Sequence, residues 1–162
     1  MLKKICNILI TIILLLLLAL AGALFLPKVL GYNMFNVVSG SMEPNIPVGA
    51  IVYTKEVPFE DIEVGDVISF RISEDTMVTH RVVEVDETNQ QFTTKGDANE
   101  AEDGSPVAYG NVVGEVALSI PHLGTFSSLI RTPLGIAAAC GVVFLMILLN
   151  FLPEIFEKEE EK

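Results

Sequence analysis

Tryptophan is absent from these 162 residues, and cysteine and histidine occur only twice each. Cys6 and Cys140 both fall inside long apolar runs, so the polar middle of the chain has no thiol. That excludes a disulfide scaffold and a Cys-ligated metal centre there, and it leaves the redox compartment unmarked. Basic residues are scarce too: ten Lys and Arg stand against 21 Asp and Glu, a net charge of −11. Nucleic-acid binding needs a basic footprint, so no nucleic-acid partner is expected. The chain has no phosphate-cradling glycine loop, no HExxH pattern and no paired-histidine spacing. Neither a metal nor a cofactor is expected on those grounds.

What abounds is apolar. Hydrophobic residues make up 51% of the chain and mean hydropathy is +0.52, more than an ordinary soluble domain carries. Residues 5–26 form one nearly unbroken run, ICNILITIILLLLLALAGALFL, and residues 134–152 form another, LGIAAACGVVFLMILLNFL. At about 1.5 Å rise per residue, such runs match a hydrocarbon core roughly 30 Å thick. Two other readings compete. The first run could be a cleaved secretory signal, since Lys3 and Lys4 precede it and Ala19-Leu20-Ala21 or Ala21-Gly22-Ala23 imitates a cleavage site. The second could be a buried core helix. The first run, however, is longer than the 7–15 residues of a usual signal core, which favours a retained anchor.

Lys3 and Lys4 place residues 1–4 in the cytoplasm by the positive-inside rule. The expected order is then a transmembrane helix over 5–26, an extracytoplasmic domain over 27–133, a second transmembrane helix over 134–152, and a cytoplasmic tail. That tail, residues 153–162, reads PEIFEKEEEK and is expected to be a solvated, fraying helix. The expected localisation is the cell membrane, multi-pass, with the lipid bilayer as a partner.

The middle segment reads as short strands separated by turns. Candidate strands are Phe35–Val38, Ala50–Thr54, Val67–Ile72, Val78–Val85, Gln91–Thr94 and Val112–Ile120, all rich in Val, Ile, Phe and Thr. Turn chemistry lies between them, as in Glu43-Pro44-Asn45-Ile46-Pro47 and Val64-Gly65-Asp66. No long stretch here has helical periodicity. The fold class is therefore mainly β: a small closed or curled antiparallel sheet flanked by two transmembrane helices.

Three places carry side chains suited to chemistry. In Val37-Val38-Ser39-Gly40-Ser41-Met42, Gly40 allows a tight turn that would present Ser41 at a strand end with its backbone N–H exposed. A nucleophilic serine needs that exposure and oxyanion donors, although a bare Ser-Gly-Ser also reads as a small polar loop. In Val78-Thr79-His80-Arg81, an imidazole within a strand could take the serine proton and return it to a leaving amine, or be an ordinary strand histidine. His122, near the second apolar run, reads as interfacial or structural. The loop from Thr94 to Gly104 offers Asp97, Glu100, Glu102 and Asp103, any of which could orient the base. The same loop could equally be a solvated acidic turn or a calcium site.

Together these blocks resemble signal peptidase I. Ser39-Gly40-Ser41-Met42-Glu43-Pro44 with Pro47-Val48-Gly49, then Val64-Gly65-Asp66-Val67-Ile68-Ser69-Phe70, then Thr79-His80-Arg81-Val82, then Lys95-Gly96-Asp97 are similar to four family blocks, in order, behind an N-terminal anchor. The common bacterial type has a lysine base where this chain has His80. The sequence is therefore closer to the endoplasmic-reticulum, archaeal and SipW-like type. The resemblance implies a largely β catalytic domain, Ser41 as nucleophile and His80 as base. It implies Asp103 as the partner of His80, Asp97 as a supporting carboxylate that shapes the loop, and Ser39 as a second oxyanion donor. Ala98 stands where the family usually has Asn.

The implied activity is that of a membrane-bound serine endopeptidase that removes signal peptides from preproteins after small residues, with the secretion machinery as a possible associate. Met42 and Val38 would wall the pockets that admit alanine. The alternative is a membrane-tethered β-domain that binds or scaffolds envelope proteins without catalysis.

Overall fold

The computed structural model describes residues 2–160, with the side chains of residues 2, 24 and 152–160 left aside. Met1 and residues 161–162, which include the end of the expected tail, lie outside the described residues. The chain divides into two compact units. Pro27–Phe126 carries a β-sheet, and the other described residues carry the long apolar helices.

Those helices are α1, Leu2–Val29, and α3, Pro133–Glu160. Stretches Lys3–Val29 and Pro133–Phe151 within them are long and apolar enough to cross a membrane. Side chains such as Leu16 and Leu18 in α1 and Phe144 in α3 are exposed, as a lipid-facing surface requires. The start of α3 is fixed locally. Thr132 Oγ1 accepts the Gly135 N–H at 3.1 Å as an N-cap, and Pro133 occupies the first helical position, where its missing N–H costs nothing.

The sheet has seven strands: β1 Asn33–Asn36, β2 Ile51–Lys55, β3 Val67–Ser73, β4 Thr76–Asp86, β5 Gln91–Lys95, β6 Val107–Ala108 and β7 Val112–Ile120. They lie in the order β1-β2-β7-β3-β4-β5-β6, every pair antiparallel. A mainly β domain is therefore borne out. The ladder stays open, with β1 and β6 as its edges. Two further elements carry no clear sequence signal. The two-residue β6 is too short for alternation to show, and α2, Leu123–Ile130, is a two-turn helix after β7.

Strand alternation sorts the apolar residues onto two faces. Across β3 and β4, Ile68 opposes His80 and Phe70 opposes Val78, so these four share one face. Ile68, Phe70, Val82, Phe92 and Val107 pack there with Phe59 and Ile62. The Phe59 ring lies 5.1 Å from Phe92 and 5.7 Å edge-on from Tyr109. Val67 and Val116 join a second cluster built on Met42, Ile46, Ala50 and Val52. His80 thus lies on the face of the first core, its ring 6.4 Å from that of Phe70, while the segment after Ser41 packs into the second.

Phe92 is fully buried at the centre of the first cluster. Phe92→Ala should cost about 3–5 kcal/mol, read as a lowered midpoint in denaturant unfolding of the detergent-solubilised chain. A loss under 1 kcal/mol would contradict this packing.

Candidate active site

The Ser41 segment is held by main-chain bonds. β1 ends at Asn36, after which Val37 N–H donates to Ala50 O and Gly49 N–H donates to Val37 O. Gly49 makes that return at φ +81°, a left-handed conformation that glycine adopts without penalty. The expected strand Phe35–Val38 is therefore shifted towards the N-terminus. Ser41 stands in a hydrogen-bonded turn rather than at a strand end: Glu43 N–H donates to Gly40 O at 3.0 Å and Ile46 N–H to Met42 O at 2.8 Å. Gly40 is not left-handed, so its conformational freedom is not what forms the turn. Met42 and Ile46 are buried and pin the turn to the second core. Among the described residues the Ser41 N–H has no hydrogen-bond acceptor, and the Ser39 and Ser41 hydroxyl oxygens are 3.4 Å apart.

His80 sits mid-strand on β4, its side chain 10% exposed. Its Nδ1 lies 2.6 Å from Asp103 Oδ2. The Thr94 hydroxyl donates to the same oxygen at 2.6 Å, and the Asp103 N–H donates to Thr94 O at 2.8 Å. Because Thr94 belongs to β5, the sheet itself fixes where this carboxylate points. Glu100 and Glu102 are exposed.

Asp97 goes elsewhere. Arg81 donates to it through two nitrogens, Nε to Oδ1 and Nη2 to Oδ2, each at 2.7 Å, and Asn45 Nδ2 donates to Oδ2 at 2.7 Å. Arg81 Nη1 also donates to Gly65 O at 2.6 Å. The Arg81 guanidinium holds the Asp97 carboxyl below its usual value, and Asp97 in turn holds Arg81 above its own. The same loop returns to the serine: Ala98 N–H donates to Ser41 O at 2.9 Å. Gly96 packs so closely that a Cβ there would lie 2.7 Å from Ser41 O.

These pieces meet at a cleft of about 280 Å³ lined by Phe35–Ser39, Ser41, Met42, Met77–His80 and Asn99, among others. Ser41, Ser39 and His80 share it, and Asp103 backs it through His80. Asp97 and His122 are not among its lining residues. His122 is exposed at φ +61° between β7 and α2, and its carbonyl accepts the Phe126 N–H. Of the residues walling the cleft, Met42 is buried and Val38 is 81% exposed. Sequence reasoning missed Arg81, Asn45 and Thr94. Arg81 had one available signal: strand alternation turns it to the face opposite His80, where an isolated cation among carboxylates needs a partner.

Comparison with known proteins finds signal peptidases among the relatives of this chain. The chain is 42% identical over 89 residues to signal peptidase I W of Bacillus subtilis (strain 168), covering 53% of this chain and 47% of that protein. It is 31% identical over 99 residues to the signal peptidase complex catalytic subunit SEC11C of Homo sapiens and of Mus musculus, covering 54% of this chain and 52% of those. The matched region is thus about half the length of these curated relatives. No family model matches.

The clamp on Asp97 predicts a pH signature. A carboxyl held low when folded contributes stability above its unfolded pKa, and that contribution fades as pH falls through the lower folded value. Asp97→Asn should therefore destabilise the protein by about 1–3 kcal/mol near neutrality. The gap from the parent should narrow below about pH 4. Thermal melts of both proteins from pH 7 to 3 check this, and a gap independent of pH would refute it. By motif and by alignment alike, the chain resembles the signal peptidases of the SipW and endoplasmic-reticulum type.

Proposed function

We propose that the chain is a membrane-bound serine endopeptidase that removes N-terminal signal peptides from secreted preproteins, cutting after small residues. The observation that carries this reading is the 2.6 Å contact between His80 Nδ1 and Asp103 Oδ2, beside a cleft that also holds Ser41. The likeness to signal peptidases supports it.

In this reading Ser41 Oγ attacks the scissile carbonyl while His80 Nε2 takes its proton and then delivers it to the leaving amine. Asp103 keeps the proton of the resting imidazole on Nδ1 and stabilises the imidazolium that forms. Thr94, bonded to the same Oδ2, holds that carboxylate in place. The Ser41 N–H, which has no acceptor among the described residues, and the Ser39 hydroxyl supply the oxyanion donors. Among the described residues no hydrogen bond joins Ser41 Oγ to His80, and substrate binding brings the two into reach. Asp97 acts at one remove, through Arg81, Asn45 and the loop that touches Ser41.

The substrate is an extended peptide. One wall of the cleft is the outer edge of the chain running on from β1, and the other is β4 at Met77–His80, whose pairing with β5 begins only at Arg81. Two strand edges facing one cleft suit a third chain laid between them, with main-chain bonds giving affinity and small side chains fitting the walls. The helices Lys3–Val29 and Pro133–Phe151 anchor the chain in the bilayer, both termini cytoplasmic and the β unit outside. Confinement to one membrane raises the effective concentration of preprotein, and association with the secretion machinery fits that placement.

Processing of a reporter preprotein by the full chain in lipid vesicles tests the assignment. Ser41→Ala should abolish cleavage, and His80→Ala should come close to it, because such groups fail as a unit. Asp103→Asn should lower kcat by about 10⁴ through the wrong tautomer, and Asp97→Asn by much less. Near-normal cleavage by Ser41→Ala would end the protease reading, and equal losses at Asp97 and Asp103 would undo the division of roles.

A further inference from the structure

A second groove, of about 540 Å³, adjoins the first. The two share only Val78 and His80. Beyond those residues the second groove is lined by Phe70, Ile72, Pro106 and Val107, with Arg71, Ser105 and Asn111 on its polar rim. Phe70 and Val107 are buried members of the first core, so their packing holds this wall rigid. The same groove reaches Asp103, on the Nδ1 side of the His80 ring.

We infer that this groove receives the side chain of the substrate residue immediately after the scissile bond, and that it favours a large apolar one. The inference rests on the protease reading above and adds a subsite to it. The base that takes the Ser41 proton must hand it to the leaving amine, so the leaving segment has to depart past His80. The acyl half of the substrate stays with Ser41, in the first cleft. The space into which the other half passes must therefore border His80, and the second groove does so. An apolar wall backed by a packed core rewards burial of a hydrocarbon side chain, while the polar rim leaves the onward main chain solvated.

Two peptides that differ only at the position after the cut, Leu in one and Ala in the other, provide the test. Each carries the same Ala-X-Ala segment ahead of the bond. The full detergent-solubilised chain should cleave the Leu peptide with the higher kcat/KM. Filling the groove from its exposed rim, by Ser105→Trp or separately by Asn111→Trp, should lower the Leu-to-Ala ratio by roughly tenfold, the scale of discrimination that apolar pockets reach. The second variant lies farther along the chain from Asp103, so a distorted acidic loop cannot explain a shift seen in both. A ratio unchanged in both variants, or losses equal for the two peptides, overturns the subsite while leaving the protease intact. Failure of the parent chain to cleave either peptide instead sinks the protease reading, and the subsite with it.

Discussion

The loop from Gly96 to Asp103 joins groups that lie far apart in sequence. At its start, Asp97 is gripped by Arg81 of β4 and by Asn45 of the Ser41 segment. One residue on, the Ala98 amide holds the Ser41 carbonyl. At its end, Asp103 meets His80 and Thr94. The serine segment packs into the second core through Met42 and Ile46, while the histidine stands on β4 beside Phe70 of the first, so the two are carried by different elements. Charge-assisted bonds across the loop tie those elements together, and with side chains as enclosed as Asp97 they are stronger than surface ion pairs.

Much of this arrangement was legible in the sequence. The strand cores of β2, β3, β4, β5 and β7 could be read from runs of Val, Ile, Phe and Thr, because each run is long enough for alternation to register. β6 and α2 were not, being too short for any period to show. The serine, the histidine and the four loop carboxylates were visible as residue types suited to acyl transfer, yet nothing in their spacing says which carboxylate turns to His80. Resemblance pointed to Asp103. The geometry adds the local reason: Asp103 takes its place from the Thr94 main chain and hydroxyl.

What stayed hidden were contacts between distant segments. Asn45 and Asp97 are 52 residues apart, and neither residue type signals the other. Arg81 stands next to His80 in the motif, and the histidine has the more evident chemistry. Two adjacent strand residues point to opposite faces, and here those faces have different tasks. The expectation for Gly40 failed for a related reason. A glycine beside a serine suggests conformational freedom, whereas the position that uses it is Gly49, where the chain turns back towards Val37.

The contact between Ala98 and Ser41 runs entirely through the main chain, and the Ala98 side chain is exposed. Nineteen of the twenty amino acids carry that same amide hydrogen; proline does not. Whatever other side chain stands there, the grip on the serine carbonyl has the same chemistry. Residue 98 is governed by what it must not be, and sequence comparison at that site would register drift where the structure has a fixed joint.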